Sequence, residues 1–284
     1  MNKVPKILLC LVFSPLVGAL IYGLDRKFSA RLQGRVGPPI WQPYLDVLKL
    51  LHKENLVVHK SQNVYILFYL IFMFFAATLL FAGKNLLLVI FALTVAQVFF
   101  ILGAFKTSSP YSFIGAQREI IQMASSEPAI LLNAVGMYMV VGSFYVYRIV
   151  SYDKLLALYL PGFLLSFIYI LAIKFRKSPF DLSTSSHAHQ EIVKGVTVDF
   201  SGKTLAMIEL GHWLEIILML GFIFLFFGSN TILALSVAIF IYFLIVLVDN
   251  TFARLKWQII LASSWLVTFV MGATNIVALH FLPR

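Results

Sequence analysis

Glu209, His212 and Glu215 stand at positions i, i+3 and i+6 of one long apolar segment that begins TLAMIELGHWLE. Residues three apart are neighbours on a helix, so the three form a slanting titratable row. With a helix start near Thr204, Glu209 lies roughly 8 Å in and Glu215 roughly 17 Å in. Beyond Glu215, residues 216–227 hold no ionisable group. Such groups are costly in lipid and mark a pathway or a partner. Two carboxylates flanking an imidazole have tunable proton affinities. The row reads as a proton path that starts at the inner surface and leaves sideways near mid-bilayer, into a neighbouring subunit. The alternative is a set of buried hydrogen bonds that pins helices together. Glu127, just before Pro128, is a second station of the same path. Arg118 or Glu119, Gln122, and Ser125 or Ser126 lead to it as a polar stripe.

Above this row lies a polar loop, residues 174–203, KFRKSPFDLSTSSHAHQEIVKGVTVDFSGK. It offers Asp181, His187, His189, Glu191 and Asp199 as docking and coupling residues, with Arg31 and Arg35 from the first loop beside them. An H-x-H pair can bind metal, but no cysteine or third histidine lies near it in the sequence. Contacts to a docked partner, or proton uptake, fit the pair better. Asp249 sits near Arg254 and reads as an interfacial ion pair. The single cysteine, Cys10, cannot form an internal disulfide or hold a cluster by itself. No nucleotide loop, nucleophile elbow or haem motif is present, so the chain is expected to carry no cofactor, metal or catalytic centre of its own.

These residues must be positioned by membrane helices. Of 284 residues, 61% are hydrophobic and 12% charged. A soluble domain carries about a quarter charged. The apolar runs predict about eight spans: 4–24, 64–82, 86–105, 113–147, 155–173, 204–227, 231–249 and 257–280. The fourth is too long for a simple crossing. The first lacks a cleavage site and ends in a charged loop, so it is a span and not a signal peptide. Residues 1–284 read as one all-α membrane domain without an internal repeat, which argues against an autonomous inverted-repeat transporter.

The net charge of +10 reflects topology more than affinity for nucleic acid. Sixteen of the 22 Lys and Arg fall in the loops after the odd-numbered spans, at about 25–63, 106–118, 174–203 and 250–256. Basic residues are retained in the cytoplasm, so these loops are expected there and both termini outside, in a prokaryotic cell membrane. In the first loop, RLQGRVGPP makes a compact turn. IWQPYLDVLKLLHKE follows as an amphipathic helix in the interface, either an anchor or a gate.

Four motifs in order carry a resemblance: RLQGRVGPP with QPYLDVLKLLHKE, GAQREIIQMASSEPAILL, SPFDL, and QEIVKG with DFSGK. Together, from Asp25 to Glu215, they resemble the H-type membrane subunit shared by respiratory complex I and energy-converting nickel–iron hydrogenases. Lys174 stands where the complex I version has a glutamate, and His189 where it has an acid. These lost acids argue against a quinone site of the complex I kind. The pattern is similar to the Ech, Mbh and formate hydrogenlyase types. The resemblance implies a subunit without a redox centre, which anchors and couples a ferredoxin-driven hydrogenase. Its implied partners are a nickel–iron large subunit, an iron–sulfur small subunit, a ferredoxin-like subunit and antiporter-like membrane subunits. Nickel–iron and iron–sulfur groups would sit in those partners. An equivalent subunit of a quinone- or sulfur-reducing complex is the alternative.

Overall fold

The structure is a computed structural model describing residues 3–56, 59–184 and 193–281. Within them the chain is helical apart from one isolated bridge, Asn85 to Tyr145. The helices are α1 (Lys3–Leu32), α2 (Gln42–His52), α3 (Lys60–Phe81), α4 (Leu86–Phe105), α5 (Pro110–Val141) and α6 (Val146–Val150). They continue as α7 (Leu156–Tyr159), α8 (Pro161–Lys174), α9 (Gly202–Phe226), α10 (Thr231–Thr251) and α11 (Trp257–Phe281). Among the described residues, 7 helices are long and apolar enough to cross a membrane. The eighth predicted span, 155–173, is divided at Leu160 into α7 and α8. The 14 residues of α8 rise only about 21 Å, short of the ~30 Å hydrocarbon core.

Other boundaries also differ from the sequence reading. Helix α1 continues past residue 24 to Leu32, so Arg31 ends a helix and does not open a loop. Pro110 starts α5 at its first turn, which leaves only a short turn where a loop to residue 118 was expected. Left-handed Gly142 then stops α5, and α6 is separate.

The freed backbone groups are matched. Pro128 inside α5 cannot donate to the carbonyl of Ala124. The Trp265 indole of α11 donates to it at 3.1 Å. Pro15 leaves the Leu11 carbonyl free in α1, and the Ser14 hydroxyl takes it at 3.2 Å. At the break before α8, Asn275 of α11 accepts from Gly162 N–H at 2.7 Å and donates to the Tyr159 carbonyl at 2.9 Å. Irregular backbone at membrane depth is tolerated only with such partners.

The two ends of the bundle are knit separately. At one, Leu86 N–H donates to Phe144 and Val146 N–H to Lys84. At the other, the Ser201 hydroxyl meets Leu56, Thr204 meets Asn55 and Asn63, and Gln33 meets Asn250. The segments predicted to lie inside therefore share one end. There α2 buries Pro43 and Val47 and exposes Trp41, Leu45, Leu48 and Leu51, as an interfacial helix requires. Its Tyr44 hydroxyl donates to the Leu16 carbonyl, and its ring meets Trp213 edge-on at 5.9 Å. Between the ends, Phe167 packs on Phe222 and Phe226 at 5.9 and 6.4 Å, all fully buried.

Phe167→Ala should therefore cost about 3–5 kcal/mol, read as a lower melting temperature in detergent. Leu266→Ala, on the outer surface at 64% exposure, should leave melting unchanged.

Candidate functional site

Three cations in four residues, Lys174, Arg176 and Lys177, follow from the end of α8, and each meets a different set of buried acids. Arg176 is the centre. Its backbone adopts φ 51°, a left-handed conformation that non-glycine residues adopt at a cost. That bend sends the guanidinium inward, to Glu119 of α5 at 2.6 and 3.2 Å and to Glu215 of α9 at 3.2 Å. It also lies 3.0 Å from His212 Nδ1 and 5.7 Å from the Phe100 ring centre. Burial opposes the charge, but Glu119 and Glu215 outweigh it and push Arg176 above its usual range.

From Glu215 the polar contacts run sideways. Gln97 of α4 donates to Glu215 at 2.9 Å, and its carbonyl oxygen accepts from Lys174 at 2.8 Å. Lys174 also pairs with Glu127 at 3.1 Å. Thr94 donates to the other oxygen of Glu127 at 2.8 Å. One connected chain thus joins Glu119, Arg176, His212, Glu215, Gln97, Lys174, Glu127 and Thr94. A cavity of about 10 Å³ beside it is lined by Gln97, Glu119, Gln122, Ser126, Lys174 and Arg176. That is room for about one water among polar partners.

Lys177 turns the other way. It pairs with Asp25 at 2.7 Å and Asp249 at 3.1 Å. Tyr242 donates to Asp25 at 3.1 Å, and Ser178 N–H to Asp249 at 2.7 Å. Here too burial opposes the ammonium, while Asp25 and then Asp249 hold it above the usual lysine range.

The sequence-predicted residues divide accordingly. Glu127, His212 and Glu215 belong to the chain. Glu209 does not: among the described residues no hydrogen bond or ion pair reaches it, and its charge acts on Tyr22 and Arg26 of α1. Glu209 and Glu215 differ by six residues, about 120° away from a common direction on a helix, so the row splits between two faces. Asp249 pairs with Lys177 and not with Arg254, because Arg254 is held by the carboxylate and carbonyl of Asp181. Arg31 and Arg35 are exposed, and Arg35 contacts Gln33. One carboxylate oxygen of Asp199 is buried without a hydrogen-bond partner among the described residues. His187, His189 and Glu191 lie outside the described residues. Sequence reasoning overlooked Gln97, Asp25 and the inward course of Lys174, Arg176 and Lys177. A buried amide and a basic run beside a loop carry no periodic signal. The available hint was the excess of acids at depth, which requires cations.

The arrangement can exchange partners. His212 Nδ1 faces Arg176 at 3.0 Å and Glu215 at 3.5 Å. A neutral ring accepts from Arg176; a protonated ring donates to Glu215 and repels Arg176. One proton on His212 therefore redirects the contacts of Glu215. Gln97 transmits the electrostatic change to Lys174 and Glu127, since its amide is fixed by donors and acceptors at both ends.

Comparisons with known proteins agree on kinship. A family model described as NADH dehydrogenase matches residues 5–280. Hydrogenase-4 component C of Escherichia coli (strain K12) is 26% identical, over 87% of each chain. The H-type membrane chain of the NADH-quinone oxidoreductase of Orientia tsutsugamushi (strain Boryong) is 31% identical, over 76% of this chain and 66% of that one. A chain in the structure of the membrane-bound sulfane sulfur reductase, an archaeal respiratory membrane complex, superposes with a TM-score of 0.83 at 24% identity. The match covers 98% of this chain and 100% of that one.

Arg176→Met would leave Glu119 and Glu215 buried without their cation. A loss of about 3–5 kcal/mol is expected in detergent melting. Adding Glu119→Gln should restore part of it, as a double-mutant cycle would measure. Equal melting of wild type and Arg176→Met would contradict this account.

Proposed function

The chain belongs to the NADH dehydrogenase family, and on that premise we propose that it is the membrane anchor and coupling subunit of an ion-translocating nickel–iron hydrogenase complex. The observation that carries this reading is the buried chain from Glu119 to Glu127, with cationic Lys174 and Arg176 at its centre. A redox-coupled subunit needs charges that are costly to move and connected across helices. The 26% identity to Hydrogenase-4 component C over 87% of both chains supports the hydrogenase branch.

In this proposal the chain is one membrane domain in a prokaryotic cell membrane. Its loop-rich end faces the cytoplasm and docks the hydrogenase large subunit, the iron–sulfur small subunit and a ferredoxin-like subunit. Those partners hold the nickel–iron and iron–sulfur groups, and this chain holds none. Electrons from ferredoxin reduce protons to hydrogen in the docked arm. The accompanying change at residues 175–201 alters the charge on His212 and with it the hold of Arg176 on Glu215. Gln97 and Lys174 carry that bias to Glu127, toward adjoining antiporter-like subunits that move H⁺ or Na⁺.

A second reading, the equivalent subunit of a quinone-reducing complex, is favoured by one pattern. Glu209 acts on Tyr22 and Arg26 where α1 meets α2, and Arg26 pairs with Asp46 at 2.8 Å. A membrane chain of an NADH-quinone oxidoreductase is among the relatives at 31% identity.

Mass spectrometry after mild detergent extraction separates the two. Co-purification of a large subunit with two CxxC nickel-ligand motifs supports the hydrogenase; a quinone-type arm in its place sinks it. Glu215→Gln should leave assembly intact but reduce ion translocation in sealed vesicles by about tenfold or more, the kinetic weight of about 1.4 kcal/mol. Wild-type coupled activity in that variant would remove the coupling role.

A further inference from the structure

Tyr69 of α3 is 2% exposed, and its hydroxyl has no hydrogen-bond partner among the described residues. A buried hydroxyl left unpaired costs about 1–3 kcal/mol, so its retention calls for a reason. Its surroundings are specific. The ring lies 5.4 Å from Phe100, whose ring also backs Arg176 at 5.7 Å and His212 at 6.1 Å. A methyl group at Gly211 would overlap the Tyr69 ring and hydroxyl, so the tyrosine fills a notch that this glycine leaves in α9. Gly211 and Glu215 are four residues apart and therefore share a helix face. Of the charged groups around the hydroxyl, Glu215 exerts the largest field, ahead of Arg176, Glu119 and Glu209.

The neighbouring donors are committed. Gln97 already donates to Glu215, Lys174 to Gln97 and Glu127, and Thr94 to Glu127. The indole of Trp213 is also unpartnered, but it packs on the opposite side of α9, with Ala19 and Val47. Once Arg176 turns away, a carboxylate oxygen of Glu215 is without its cationic donor inside the bundle. The donor at hand is the Tyr69 hydroxyl.

We propose that Tyr69 is a positioning residue for Glu215: its hydroxyl is the reserve donor that binds the carboxyl group when Arg176 releases it. This rests on the coupling reading above and deepens it. Arg176 and Tyr69 then define two alternative states of one carboxyl group. The unpaired hydroxyl of the present arrangement is the cost of keeping the second state within reach.

Tyr69→Phe in the intact complex tests this. No bond is broken in the present state, so assembly and melting temperature should be unchanged or slightly raised. Ion translocation per turnover in sealed vesicles should fall by about tenfold, the kinetic equivalent of one buried hydrogen bond. In redox-difference infrared spectra, the Glu215 carboxyl band, identified by its loss in Glu215→Gln, should move to higher frequency in Tyr69→Phe. If Glu215→Gln uncouples while Tyr69→Phe couples normally with an unmoved band, this proposal fails and the coupling reading stands. A lowered melting temperature with an unmoved band would make Tyr69 a packing residue and overturn the proposal. Normal coupling in Glu215→Gln would remove the coupling reading, and this proposal with it.

Discussion

Burial of charge at the end of α8 governs this structure. Lys174, Arg176 and Lys177 enter the bundle where lipid would otherwise be, and each must find acids there. A buried cation without a partner costs several kcal/mol, and so does a buried acid. Glu119, Glu127 and Glu215 on one side, and Asp25 and Asp249 on the other, are therefore tied to one short segment. That segment reaches α1, α4, α5, α9 and α10 through polar groups. Apolar packing fills the bundle between these ties, but it has no preference of comparable strength for one register over another.

The rest of the fold delivers the segment to its place. The helix before it is short because Leu160 and Pro161 break the fifth crossing, and Asn275 of α11 satisfies the broken backbone. A full-length helix would have carried residues 174–177 further toward water. The left-handed backbone at Arg176 then separates neighbouring cations, with Arg176 directed to α5 and α9 and Lys177 to α1 and α10. Pro128 sits one residue beyond Glu127, and the carbonyl it leaves free is capped by Trp265. Helix irregularities thus cluster around the charges, where polar partners are available to absorb them.

The same economy makes the site responsive. A fully paired network resists partial change, because breaking any one pair strands a buried charge. His212 introduces a point where one proton exchanges one set of partners for another. The effect passes through Gln97, which does not titrate but holds both neighbours in orientation. A peripheral redox event therefore need not send a proton the whole length of the chain to be felt at Glu127. Electrostatic bias along fixed hydrogen bonds suffices, and the ion can move in an adjoining subunit.

The sequence alone determined the membrane class, the interfacial helix and the family. Each rests on local patterns: apolar runs of bilayer length, an amphipathic period over residues 40–54, and short motifs such as SPFDL in order. It also singled out Glu127, His212 and Glu215, because acids in apolar runs are conspicuous without any partner. What it could not supply was the pairing. Glu209 looks equivalent to Glu215 in spacing, yet helix rotation turns it toward α1. Asp249 is near Arg254 in sequence, yet Asp181 takes that arginine. Lys174 and Arg176 read as loop charges until the short α8 draws them inward. The length of α8 itself depends on Asn275, more than 110 residues away in sequence. Depth, rotation and partner choice follow from how helices distant in sequence pack and from the need to neutralise every buried charge at once, so only the tertiary structure decided them.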